Sequence, residues 1–122
     1  MKLDHHEIMD LQKRIHDTQR QLNHLVKPIG LALQVIDHSS DRRKRILAVY
    51  ANAAPAKSQA EKESLARASS EYAEAMQEEA KELASAYEVQ HDWRRLVIRM
   101  DACRSMLAIT REVVRQMPES QE

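Results

Sequence analysis

The stretch that decides the fold runs from Tyr72 to Met117 and reads YAEAMQEEAKELASAYEVQHDWRRLVIRMDACRSMLAITREVVRQM. It contains neither glycine nor proline, and its apolar residues recur every seven positions in two rows. The first row is Tyr72, Ala86, Trp93, Met100, Leu107 and Val114. The second row is Ala75, Val89, Leu96, Cys103, Thr110 and Met117. Two such positions in every seven form a stripe along a helix that packs against a partner helix.

Each row is interrupted once, at Glu79 and at Glu82. A carboxylate is costly to bury without a partner. We therefore expect the stripe to be loose at these positions, or to shift to a neighbouring apolar row. That row is Met76, Ala80, Leu83 and Tyr87.

The composition favours helices and one domain. The chain has 122 residues, with a single glycine, no phenylalanine and three prolines, which leaves little material for hairpin turns or a sheet. Nineteen basic residues balance nineteen acidic ones, so no global field attracts nucleic acid or a membrane. The lone cysteine, Cys103, excludes an internal disulfide and suits a reducing compartment. We see neither a signal peptide nor a membrane-spanning run, and we expect a cytoplasmic protein that does not contact a membrane.

The first arm carries the same spacing of seven. Asp4 and Glu7 resemble a capping box, which predicts a helix that begins near His5. One row is Ile8, Ile15, Leu22, Ile29, Ile36, Arg43 and Tyr50. Its companion is Leu11, Thr18, Leu25, Ala32, Ser39, Ile46 and Ala53, and a third row of Val26, Leu33 and Leu47 widens the stripe. Pro28 lacks an amide hydrogen, so we predict a kink or a break there.

These patterns predict an all-α fold, a long antiparallel helical hairpin or coiled coil that is oligomeric. As one domain over residues 1–122, it would have a first arm over about 5–54, a turn at 52–57, a second helix over about 58–117 and a tail at 118–122. Ser58 and Glu61 resemble a capping box at the start of the second helix. A fold at Pro55 would bring Arg42–Arg45 beside about 66–71, and Arg94–Arg99 beside about 11–16.

A two-helix hairpin buries little, so the wide stripe also predicts self-association. We expect the long second helix to supply the interface between subunits. The predicted interface residues are Trp93, Leu96, Met100, Cys103, Leu107 and Val114. Trp93 could alternatively stack on a nucleic-acid base, although its place in the row favours a core position.

The charges are unevenly distributed along the chain. Residues 41–60 carry a net charge of +4 and residues 61–91 a net charge of −5. The most basic spot, Arg42-Arg43-Lys44-Arg45, could follow a phosphate backbone. The alternative is that these side chains pair with Glu71, Glu74 and Glu78 on the returning helix. A second group could also contact phosphate or simply flank the stripe: Arg94, Arg95, Arg99, Arg104, Arg111 and Arg115.

No motif points to an enzyme, a metal site or a cofactor. One glycine cannot build a phosphate-cradling loop or a dinucleotide fingerprint. The six histidines include no His-x-x-x-His pair, and Cys103 has no nearby partner to ligate zinc. We therefore expect no catalytic residue, no cofactor, no metal and no small-molecule substrate.

The C-terminal half resembles the UvsY-type phage recombination mediators. The residues that carry the resemblance are YAEAM at 72–76 and VQHDWRRLVIRMDACRSMLAI at 89–109, after a basic helix that leads from Arg42 to Tyr50. The resemblance implies a ring-forming helical protein, acting in the host cytoplasm, that binds single-stranded DNA and helps to load a RecA-like recombinase. Carried over by position, the DNA contacts would be Arg42, Arg43, Lys44 and Arg45, with Lys57 at the turn.

Charge balance and the wide apolar stripe leave a second interpretation open. The chain could be a structural or adaptor coiled coil that acts through protein–protein contacts without binding DNA. A phage scaffold, an assembly chaperone or a protein inhibitor would have such a sequence.

Overall fold

The fold consists of three helices. The computed structural model describes residues 5–117, and within that range no strand occurs. Helix α1 is His5–Ala53, α2 is Gln59–Ala68 and α3 is Ser70–Gln116, with lengths of 49, 10 and 47 residues. The all-α prediction is confirmed. Asp4 and the tail at 118–122 lie outside the described residues.

Helix α1 continues through Pro28, which excludes the break; the kink stays a prediction. Proline removes the hydrogen bond that His24 would accept, but both residues are exposed and water can satisfy that carbonyl. Contacts divide the chain at this point into two units. Unit 1 contains the described residues up to Lys27 and from His91 onward, and unit 2 is Pro28–Gln90.

The predicted second helix is two helices, separated at Ser69. The backbone of Ser69 is extended, with φ −80° and ψ 144°, and its amide donates to the Ala66 carbonyl at 3.0 Å. Its hydroxyl donates to the same carbonyl at 2.8 Å and accepts from the Tyr72 amide at 3.2 Å. One side chain therefore caps the end of α2 and the start of α3. The prediction of one helix over 58–117 missed this break, although Ser58 does cap α2 as predicted.

Ser69→Ala is expected to lower the free energy of unfolding by about 1 kcal/mol, because it removes both side-chain hydrogen bonds at a helix boundary. Thermal unfolding followed by circular dichroism measures the change. Ser70→Ala is the matched control, since Ser70 is exposed at the first position of α3 and makes neither bond. Equal effects of the two substitutions would contradict the capping role.

The break shifts the alignment of the returning helix. In unit 2, Arg42 contacts Glu79 and the ring of Tyr50 lies 6.3 Å from that of Tyr72, in an edge-to-face arrangement. Moving forward along α1 thus corresponds to moving back along α3, so the two helices are antiparallel in this unit. The sequence placed Arg42–Arg45 beside 66–71. That placement is wrong because α2 occupies residues 59–68 before the return begins.

Unit 1 has a small apolar core on the predicted rows. Leu22 of α1 packs with Leu96 and Met100 of α3, and their exposed fractions are 7 %, 6 % and 3 %. Partly buried neighbours complete this cluster: Ile15, Leu25, Trp93 and Val97. The heptad spacing therefore identified the core of this unit.

The six residues predicted to form a subunit interface are buried or half-buried within the single chain. Leu96, Met100 and Leu107 are buried in the single chain, while Trp93, Cys103 and Val114 are half-buried. Packing inside unit 1 accounts for Leu96 and Met100 without a second copy. The assignment of the six residues to a subunit interface stays a prediction.

Unit 2 has a different interior. Every buried hydrophobic residue in it is an alanine, and the other buried residues are Ser39 and Glu79. The alanines are Ala32, Ala51, Ala66 and Ala86. Glu79 lies in the heptad row and is buried there with Arg42 as its partner, so the row continues through this position. Glu82 is exposed, and in the row to which the stripe was predicted to shift, Met76 and Leu83 are half-buried whereas Ala80 and Tyr87 are exposed.

None of the helices in residues 5–117 combines the length and apolar character needed to cross a bilayer.

Candidate nucleic-acid interface

Arg42, the first residue of the predicted DNA-binding cluster, points toward α3. Its Nε donates to both carboxylate oxygens of Glu79, at 3.1 Å and 2.9 Å, and one terminal nitrogen donates to the Val35 carbonyl at 2.7 Å. The charge-assisted bonds to one carboxylate fix the guanidinium in place. Arg42 is thus part of the structure of unit 2.

Glu79 is the buried partner of this ion pair. Its exposed fraction is 5 %. The hydrogen bonds from Arg42 lower the pKa of Glu79 against the opposing effect of burial, and the Ser39 hydroxyl and the charge of Arg43 lower it further. Ser39 Oγ is buried and makes no hydrogen bond within the described chain, so we take its hydroxyl to act as a nearby dipole. Glu79 is therefore ionised in the folded protein at neutral pH.

The same bonds raise the pKa of Arg42, so its side chain stays charged at every physiological pH. The predicted partners Glu71, Glu74 and Glu78 are all exposed, and none of them pairs with Arg42. These bonds use the Nε–H and one terminal N–H of Arg42 and give it a structural role in unit 2, so its DNA-contact assignment stays a prediction. In the sequence it is Arg43, and not Arg42, that occupies the heptad row of α1 expected to face the other helix.

Arg43, Lys44, Arg45 and Lys57 remain accessible. All four are exposed, and within the described chain no carboxylate lies within 4.0 Å of their charged nitrogens. Arg43 and Lys44 border a groove between α1 and α3, together with Ser40, Leu47, Tyr72 and Met76. Arg43 and Lys44 at this groove, and the exposed Arg45 next to them on the helix, can contact phosphates.

The charges of the two units differ. Unit 2 holds eight basic and ten acidic residues, a net charge of −2. Its exposed carboxylates on α3 include Glu71, Glu74, Glu78 and Glu82. The described residues of unit 1 hold ten basic and six acidic groups, a net charge of +4. The unit with the predicted cluster is therefore the less basic of the two.

The second arginine group belongs to unit 1. Arg95 pairs with Asp92 at 3.7 Å, and Arg115 pairs with Glu112. Four others are exposed without an ion pair in the part of the chain that the structure describes: Arg94, Arg99, Arg104 and Arg111. These arginines can take part in phosphate contact as readily as the predicted cluster.

A polar groove in unit 1 brings two arginines together. Arg14 and Arg99 line it from α1 and α3, next to Asp17, Thr18, Gln21 and Cys103. Arg14 also pairs with Asp10 at 3.2 Å, whereas Arg99 has no carboxylate partner within 4.0 Å in residues 5–117. The carboxylate of Asp17 in the same lining opposes the binding of an anion there.

A metal centre is not visible in the described range, where no three His, Cys, Asp or Glu side chains come together in a suitable arrangement. Cys103 is a half-buried free thiol on the inner side of α3.

Comparison with known proteins gives no match: neither a family model, nor a curated protein, nor a solved structure is significantly similar to this chain. The class that the fold itself defines is an all-α protein of paired antiparallel helices. The resemblance to UvsY-type mediators stays a prediction.

Proposed function

We propose that this protein is a non-enzymatic helical protein that binds single-stranded DNA and assists the loading of a RecA-like recombinase. The observation that supports DNA binding is the set of exposed basic side chains without ion pairs, Arg43, Lys44 and Arg45 above all. Recombinase loading rests on the sequence resemblance alone.

Phosphate contacts of this kind do not need a strongly basic protein. Each basic side chain that neutralises a phosphate releases a counterion, so local charge determines affinity and its dependence on salt. The exposed arginines of unit 1 form a second, separate set of basic side chains. The proposed DNA contacts are therefore Arg43, Lys44, Arg45 and Lys57 in unit 2, with the arginines of unit 1 as a second set.

Neutralising Arg43, Lys44 and Arg45 to glutamine is expected to weaken binding of a labelled single-stranded oligonucleotide by about tenfold or more at 50 mM salt. For single strands, three lost phosphate contacts also reduce the slope of log affinity against log salt by about 2. Fluorescence anisotropy measures both quantities.

The matched control neutralises Lys62, Arg67 and Lys81. These substitutions remove the same amount of positive charge from the same unit. That control should bind DNA nearly as the wild type does. A third variant that neutralises Arg94, Arg99 and Arg104 tests the contribution of unit 1. Absence of binding by the wild type at low salt would refute the DNA proposal, whereas binding without faster recombinase assembly on protein-coated DNA would refute only the loading role.

A second candidate function is that of an adaptor that binds another protein. The observation that favours it is an apolar row on α3 in unit 1, spaced three or four residues apart, which the chain leaves exposed: Ile98, Ala102, Met106, Ile109 and Val113. A row with this spacing can dock an amphipathic helix. Ile109→Asp should then abolish recovery of a protein partner in a pull-down, and DNA binding with a steep salt dependence would count against this candidate.

A further inference from the structure

None of the large apolar side chains of unit 2 is fully buried. Its buried hydrophobic residues are all alanines, while Leu33 is 42 % and Tyr87 is 50 % exposed. Leu47, Met76 and Leu83 are half-buried. A unit whose only buried apolar groups are methyls gains little from the hydrophobic effect on its own.

These side chains lie on one side of the helix pair, which we call the lateral face. It consists of Leu33, Leu47, Met76, Ala80, Leu83 and Tyr87. Leu47 of α1 and Met76 of α3 line the same groove. On α1, Leu33, Ser40 and Leu47 follow one another at intervals of seven residues. Spacings of three, four or seven residues keep side chains on the same side of a helix. The lateral face therefore spans both α1 and α3 within unit 2.

The lateral face is symmetric about one level of the helix pair. On α1, Leu33 and Leu47 are equally far from Ser40. On α3, Met76 and Tyr87 are symmetric about the midpoint between Ala80 and Leu83.

Two contacts show that the centres on the two helices are level. The contact of Arg42 with Glu79 and that of Tyr50 with Tyr72 align the helices so that residues 40–41 lie beside residues 80–82. A face with this pattern matches its own copy after a half-turn about an axis through that level.

The charges at the edge of the lateral face follow the same symmetry. Asp37 and Lys44 are exposed on α1 and equally far from the centre between Ser40 and Asp41. Neither has an ion-pair partner in residues 5–117. In a two-fold pair, residue i of one copy contacts residue j of the other, and the reverse contact follows. Lys44 of each copy would then meet Asp37 of the other.

We propose that a second copy of this chain docks on the lateral face, with α1 packed antiparallel on α1 and α3 on α3, to form a two-fold four-helix assembly. Leu33 of each copy packs near Leu47 of the other copy. The small side chain of Ala80 in each copy leaves space for Leu83 of the other copy. Two symmetric Lys44–Asp37 ion pairs close the edge. This assembly engages Lys44 and covers the groove that Arg43 and Lys44 border, so it competes with DNA contact at these two side chains. It uses none of the predicted interface residues.

Sedimentation velocity of the full chain without DNA, at concentrations from about 5 to 100 µM, tests the proposal. The expected mass is twice 14.1 kDa. Leu83→Asp is expected to give the single-chain mass throughout this range, because it places a carboxylate in the apolar centre of the interface. Leu65→Asp is the matched control, since Leu65 is 47 % exposed on α2 outside the lateral face. It should leave the doubled mass unchanged.

A charge exchange tests the arrangement without relying on apolar substitutions. Lys44→Glu and Asp37→Lys are each expected to weaken association by about tenfold, because each creates two like-charge contacts. The double variant restores opposite charges and is expected to recover most of the affinity. Circular dichroism shows that each variant keeps its helices. A single-chain mass for the wild type, or a double variant as weak as the single ones, would overturn the proposal.

Discussion

Met100→Ala is expected to lower the free energy of unfolding by about 3 kcal/mol. Met100 is 3 % exposed and belongs to the core cluster of unit 1 with Leu22 and Leu96. Truncation at Cβ removes most of the apolar contact of that cluster and leaves a cavity between the two helices. For a chain of this size the melting temperature should fall by roughly 10 °C or more. Thermal and urea unfolding measure both quantities.

Met106→Ala is the matched control for this prediction. Met106 has the same side chain on the same helix, but its exposed fraction is 54 %. Its truncation should change stability by no more than about 0.5 kcal/mol. Similar losses from the two substitutions would mean that the observed core does not stabilise unit 1.

Glu79→Gln is expected to lower the melting temperature at pH 7 by several degrees. The substitution keeps the shape of the side chain but removes the charge that holds Arg42. The pKa of Glu79 is lowered in the folded state. Its ionised form therefore stabilises the protein above the pKa of the unfolded chain, about 4.3. That contribution disappears as the pH falls through the lowered folded-state pKa.

The difference in melting temperature between wild type and Glu79→Gln should therefore be constant near neutral pH and shrink in acid. Glu78→Gln is the control, because Glu78 is 76 % exposed and its pair with Lys81, at 3.5 Å, lies on the surface. Exposed pairs of this kind contribute little. A Glu79→Gln protein with a constant deficit down to pH 2 would show that charge is not the origin of the effect.

The heptad spacing was sufficient to predict the core of unit 1. Leu22, Leu96 and Met100 occupy the predicted rows, and Thr18 and Thr110 are buried on them as well. An apolar side chain at every third or fourth position can be buried in only one way on a helix. The pattern could not tell whether the partner helix came from the same chain or from a copy.

Three features of unit 2 were not predictable in this way. The break at Ser69 depends on one serine whose hydroxyl serves two helices, and its only sequence signal is the Ser69-Ser70 pair ahead of a new apolar row. Missing it displaced the predicted placement of Arg42–Arg45 beside 66–71. Arg42 looked equivalent to its three basic neighbours, and only the position of Glu79 in a heptad row indicated a buried counterpart. Matching a buried charge to its partner requires the alignment of the two helices, which composition does not supply.

The Arg42–Glu79 pair has a consequence for which arrangements unit 2 can adopt. If α3 slipped by one heptad along α1, most alanines would still face small or apolar residues, at little cost. Glu79, however, would lie beside Val35 or Val49, and Arg42 beside Tyr72 or Ala86. A carboxylate without its counterion is strongly destabilising in such a place. A uniform methyl-lined interior tolerates many offsets of the helices, and this single ion pair penalises all of them except one.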